Sequence, residues 1–168
     1  MFSATGELVT LDQQDRDEWD RAMISEGHDL VRERLSAARS SGVQPGRYQL
    51  LAAINAVHTA ARSADKTDWS QVVVLYDRLL ALDPSPIVRL NRAVALAEVD
   101  DPDVAWAEIQ ALAESLDGYY AFHVVRADLL RRIGRTIESG QAYDRAIALA
   151  TNPTERAHLM RRRDELGG

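Results

Sequence analysis

Four histidines, His28, His58, His123 and His158, are the side chains best suited to moving protons or ligating a metal near neutral pH. No two of them stand three or four residues apart, so no pair can face a metal from one helical turn. Glu155-x-x-His158 reproduces half of a di-iron carboxylate motif, but that chemistry takes a second copy and two further glutamates. His58 and His123 fall on otherwise apolar helix faces, which suits hydrogen-bonded structural roles. The absence of cysteine excludes disulfides, thiolate metal sites and thiol nucleophiles. There is no Gly-rich phosphate loop, no G-x-S-x-G and no close carboxylate pair in an apolar setting. Asp100-Asp101-Pro102-Asp103 is acidic in the way a turn leading into a helix N-terminus favours. The sequence therefore reads as that of a non-enzyme, with no catalytic residue, metal or cofactor expected.

Two polar features remain as binding candidates. Asn55 and Asn91 occupy similar places, in Ile54-Asn55-Ala56-Val57 and Leu90-Asn91-Arg92-Ala93-Val94. An amide among core-type residues serves either a backbone hydrogen bond across a helix pair or a ligand-reading position on a concave face. Arg126, Arg131, Arg132 and Arg135, with Arg161, Arg162 and Arg163, form the one basic surface, read first as a solvated helix face. A dock for an acidic partner or a phosphate backbone is its sharper reading.

The elements that must position these residues are helices. Apolar residues recur at helical spacing, and no stretch alternates long enough for a sheet. Trp19, Met23, Leu30 and Val31 lie near one face of a predicted helix over about 14–38, with Gly27 a weak point. Leu50, Ile54, Val57 and Ala61 define another over about 47–62. Asp68 with Gln71 resembles a capping box, Ser85-Pro86 and Asp101-Pro102 each set a cap before an N1 proline, and Asn152-Pro153-Thr154-Glu155 combines both devices. Gly134 is placed to end a helix over about 119–133. In all, about eight helices of roughly 11–24 residues are predicted, and the class is all-α.

The 168 residues carry 20 basic and 26 acidic side chains, a net charge of −6, which disfavours whole-surface binding to nucleic acid. All but one of the basic residues are arginine, the exception being Lys66. No apolar run approaches the roughly 20 residues that span a bilayer. The first ten residues lack a signal-peptide pattern, so a soluble chain in the cytoplasm, with no membrane partner, is the default expectation.

An internal repeat organises the chain. Tyr76–Pro86 and Tyr143–Pro153 share Tyr-Asp-Arg, Ala-Leu and a proline at matching positions. Half their separation is close to the period of about 34 residues found in tetratricopeptide repeats. A third copy then centres on Ile109. Ala127, Leu130, Gly134, Tyr143 and Ala146 fall where that repeat takes small, large, turn, aromatic and small residues. The expected architecture is a right-handed stack of degenerate helix pairs with capping helices. Residues 1–13 are a loose lead, 14–44 an N-terminal capping helix and loop, and 45–168 three helix pairs plus a C-terminal cap, one domain overall.

Tyr48-Gln49-Leu50-Leu51-Ala52-Ala53-Ile54-Asn55-Ala56-Val57-His58 is followed by Thr67-Asp68-Trp69, Tyr76-Asp77-x-Leu79-Leu80 and Pro84-Ser85-Pro86-x-Val88-x-Leu90-Asn91-Arg92-Ala93-Val94-Ala95. Gly118-Tyr119-Tyr120, Arg126-Ala127-Asp128-Leu129-Leu130-Arg131-Arg132 and Asn152-Pro153-x-Glu155-Arg156 complete the series. Gly6-Glu7-Leu8-Val9 and Asp15-Arg16-x-x-Trp19-Asp20-Arg21 precede it. Together these blocks resemble the C-terminal, tetratricopeptide-like domain of a group of bacterial extracytoplasmic-function RNA polymerase sigma factors. Leu51 departs from that pattern, which has a glutamine there.

The resemblance implies a parent protein that acts in transcription initiation. Promoter recognition in that family belongs to two helical sigma regions preceding this domain, so the chain is expected to be an excised piece of a longer protein. Its implied partners are the sigma regions of the parent chain or the RNA polymerase core, with no direct nucleic-acid binding by this part. Tyr48, Gln49, His58, Trp69, Asn91, Arg92, His123 and Arg126 are the expected partner- or ligand-binding residues. Two other readings stand beside this one: a free-standing adaptor, and a small-molecule sensor with a pocket around His58, Trp69, Asn91 and His123.

Overall fold

A computed structural model describes residues 15–99 and 102–167. Among them there is no strand, and nine α-helices follow one another. They are α1 (Arg21–Ser41), α2 (Arg47–Ala60), α3 (Trp69–Leu82), α4 (Pro86–Val99), α5 (Pro102–Ala111), α6 (Ala113–Leu116), α7 (Tyr120–Arg132), α8 (Thr136–Leu149) and α9 (Pro153–Asp164). The all-α, repeat-like class read from periodicity is the observed one. The ninth helix is the four-residue α6, too short to leave a periodic signal. The chain divides into two compact units, and the division falls between Ala95 and Leu96 inside α4.

In the first unit, α1 packs on α2 and α2 on α3. The core is built from Leu50, Ala53 and Ile54 of α2, Val72, Leu75 and Leu79 of α3, and Val88 and Ala95 of α4. Val31 and Leu35 of α1 pack against it. Val31 thus keeps its predicted place on the inward face of α1, while the other residues of that face are corrected. Trp19 lies outside the helix, at the end of a 3-10 turn (Arg16–Glu18), and Met23 and Leu30 are exposed. The inward stripe is instead Ile24, His28, Val31, Leu35 and Ala38, a cleaner helical series. Gly27 does not break the helix. A second 3-10 turn, Ala64–Lys66, joins α2 to α3 and carries the exposed Lys66.

The N-cap half of each described sequence device is formed, while Glu155 turns to a hydrogen bond with Tyr120. Asp68 Oδ1 accepts from the Gln71 N–H at 3.0 Å, and Ser85 Oγ from the Val88 N–H at 3.4 Å. Asn152 Oδ1 accepts from the Thr154 N–H at 2.9 Å. The proposed cap Asp101 lies outside the described residues, as do the lead over 1–13 and most of the acidic turn.

In the second unit, α7 and α8 form the closest helix pair, and α5 and α9 pack on α7 and α8 respectively. The approach is close because Ala127, Ser139 and Ala146 present small side chains, all with no exposed surface. Ser139 Oγ donates to the Ala127 carbonyl at 2.8 Å, which satisfies a hydroxyl buried between the helices. Gly134 ends α7 at φ +77°. Its N–H donates to the Arg131 carbonyl, and the Arg135 N–H reaches back to Leu130 at 2.8 Å, the paired bonds of a Schellman motif.

Candidate interaction surface

The first unit presents an apolar groove on the α1–α2 helix pair. Leu30, Val31 and Arg34 of α1 and Tyr48, Gln49 and Ala52 of α2 enclose about 260 Å³. At the start of α2, Tyr48 and Gln49 stand outside the core that Leu50 joins. Gln49 Oε1 accepts the Gly46 N–H at 2.7 Å, which fixes the chain entering α2. Tyr48, one residue earlier, is 82% exposed, and Leu30 opposite is 54% exposed. An exposed tyrosine and leucine flanking an apolar floor supply large contact area at a low entropy cost. No carboxylate lines the groove among the described residues, so Arg34 gives it a positive edge.

The other predicted residues fall in several places. His58 and Trp69 are brought together, their rings edge to face at 5.1 Å. Burial, and then the nearby Arg16 charge, pull the His58 pKa below its ordinary value. Asn91, like Asn55, is exposed, so neither amide serves a helix-pair interior. Arg92 Nε donates to Asp77 Oδ1 at 2.6 Å and ties α4 to α3. In the second unit His123 is buried, with Nε2 2.7 Å from the Asp117 carbonyl and its ring edge-on to Phe122. A donated Nε2–H satisfies the imidazole where it lies, which is the structural role its apolar helix face suggested.

Arg126 has a setting the sequence did not reveal. Its guanidinium lies over the Trp106 ring at 5.7 Å, and that of Arg135 lies over the same ring at 5.0 Å. The remaining arginines of the supposed basic surface are largely neutralised. Arg131 pairs with Asp128 at 2.7 Å, Arg132 with Glu98 at 2.6 Å, Arg163 with Asp144 at 2.9 Å, and Arg135 with Glu138. Arg162 is held in its charged form first by the Tyr143 hydroxyl, and it lies 3.5 Å from Asp128. Pairing of this kind is what a solvated helix face shows, and a cation matched with a carboxylate adds less to the long-range field.

Sequence reasoning also passed over Arg16. Its Nη1 donates to the His58 carbonyl at 2.7 Å and the Ala61 carbonyl at 2.8 Å, and its guanidinium covers the Trp19 ring at 5.0 Å. It thereby satisfies carbonyls left open at the end of α2. Arg16-x-x-Trp19 was the available signal, a cation three residues from an aromatic ring.

Among the described residues no three His, Asp or Glu side chains gather as a metal site, and no helix is long and apolar enough to cross a membrane. The model of a family of unknown function (DUF6596) matches residues 2–35. The described part of that match is the 3-10 turn and most of α1, the outer wall of the groove. An uncharacterized protein of Rhizobium meliloti (strain 1021) is 42% identical over 165 residues, covering 98% of this chain and 38% of its own length. The chain thus spans well under half the length of that relative. No solved structure matches the chain significantly.

Proposed function

We propose that the chain is a non-catalytic, protein-interaction domain that regulates a bacterial extracytoplasmic-function RNA polymerase sigma factor, acting in the cytoplasm. The observation that carries the reading is the exposed Tyr48–Leu30 groove on a helix-pair scaffold, one wall of which opens the first sequence block that resembles that family's domain. Helix pairs suit such a role because they hold a large surface rigid without any chemistry at it. A relative whose length is mostly outside the matched region supports a module serving a longer protein.

In this reading the groove takes an apolar side chain of the sigma regions or of the polymerase core, and Arg34 meets a flanking carboxylate. Occupancy sets whether the sigma regions are free to engage a promoter, which makes a separate inhibitory partner unnecessary. The free-standing adaptor would use the same groove toward a different protein.

Pull-down of the sigma regions or core polymerase by this chain tests the proposal. Capture is expected, and Tyr48→Ala weakens it by about tenfold or more, as truncating a central interface tyrosine does. No capture at tens of micromolar, together with full activity of a sigma factor lacking this domain, overturns it.

A further inference from the structure

The first unit holds a second concavity of different chemistry, on the side where α1 begins and α2 ends. It measures about 250 Å³ and is lined by Arg16, Trp19, Arg21, Ile24, Ser25, His28 and Arg62, together with Thr59, Ala60 and Ala61 of the α2 end. Every charged residue lining it, among those described, is an arginine. That is unexpected in a chain with 26 acidic against 20 basic residues. The arginines are in unequal states. Arg21 pairs with Asp17, and Arg16 spends Nη1 on the two α2 carbonyls, leaving its other N–H groups. Arg62 is exposed and meets no carboxylate among the described residues.

The carbonyl end of a helix dipole ordinarily repels anions. Here Arg16 caps those carbonyls and sets a full positive charge against that end of the helix. Its charge is felt at His58, whose protonated form is disfavoured by burial and then by Arg16. The Ser25 hydroxyl adds a neutral donor, whereas Thr59 Oγ1 already donates to the Asn55 carbonyl at 2.9 Å and lies 2.8 Å from His28 Nε2.

We propose that this arginine cleft binds a small doubly charged oxyanion, inorganic phosphate or the phosphate group of a small monoester. Cations on separate walls suit a tetrahedral dianion better than a planar, singly charged carboxylate. The cleft is smaller than the roughly 300–1,000 Å³ that drug-sized ligands occupy, which restricts the occupant to an ion or a compact ester.

The test titrates the whole chain with inorganic phosphate, with phosphoserine and with acetate, against sodium chloride of matched ionic strength. The readout is the NMR shifts of the Trp19 indole and of the amides over 59–62. Phosphate is expected to give saturable shifts confined to those signals, with acetate and chloride giving none. Saturation by phosphoserine as well assigns the site to phosphate esters, and its failure assigns the site to the free ion. Arg62→Gln weakens phosphate binding by about tenfold. Arg78→Gln, on α3 and outside the cleft, leaves it unchanged. Shifts reproduced by chloride, or equal affinity in Arg62→Gln and the parent, overturn the proposal.

Discussion

Single side chains in this protein act mainly by satisfying backbone groups that the helices leave open. Arg16, Gln49, His123 and Ser139 each hold a main-chain group, and His123 and Ser139 do so from buried positions. Ser139→Ala is expected to cost about 1 kcal/mol, the net worth of one internal hydrogen bond, as read by chemical denaturation. His58 makes a pH-dependent contribution of definite sign. Its folded pKa lies below the ordinary 6.5, so the unfolded chain binds the extra proton first as pH falls. Stability from this group is complete above that ordinary value and is lost as pH drops through it toward the lower folded one. Melting scans between pH 7 and pH 5 are expected to show this loss, and His58→Gln should flatten that part of the profile. A profile unchanged by the substitution would assign the loss to other groups.

At the scale of elements, two glycines in helical surroundings have opposite consequences. Gly134 sits at φ +77° with nothing within 4 Å of where a Cβ would stand, so its substitution is limited by backbone conformation alone. Gly134→Ala is expected to cost about 1–2 kcal/mol through the left-handed conformation it must adopt. Gly27 lies inside α1, also with open space around the missing Cβ. Gly27→Ala is expected to stabilise by about 0.5–1 kcal/mol, since it only restricts the unfolded chain and favours helix. Equilibrium denaturation of both variants checks the pair. Element starts and stops were the most legible part of the sequence, because Asp68, Ser85, Asn152 and Gly134 act within one turn. The inward face of α1 was not legible. Trp19, Met23 and Leu30 outweighed Ile24 in hydrophobic bulk, and only the α2 partner decides which stripe is covered. The two arginines over Trp106 were hidden for a related reason, since Trp106, Arg126 and Arg135 meet only once α5, α7 and the residue before α8 are packed.

Across the whole molecule, burial is distributed unevenly. Helix α7 contributes five buried residues to its unit, whereas Ala38 is the only buried residue on α1 among its described side chains. Amide hydrogen exchange is expected to be slowest in α7 and α8 and fastest in α1, because a helix opens more readily the less apolar surface it buries. Comparable protection of α1 would place a further layer over its exposed face. Tyr48 and Gln49 were singled out in the sequence only through a resemblance, since an exposed tyrosine carries no periodic signature. The arginine cleft was not recoverable, since its cations belong to segments far apart in the chain. The near-exclusive use of arginine leaves Lys66 as the one lysine, with 73% of its side chain exposed in the turn between α2 and α3. Amine-directed reagents therefore have a single side-chain target. A fluorophore or surface tether coupled through that ε-amine would sit at one known turn, remote in sequence from Tyr48, so every immobilised copy would present its groove in the same orientation.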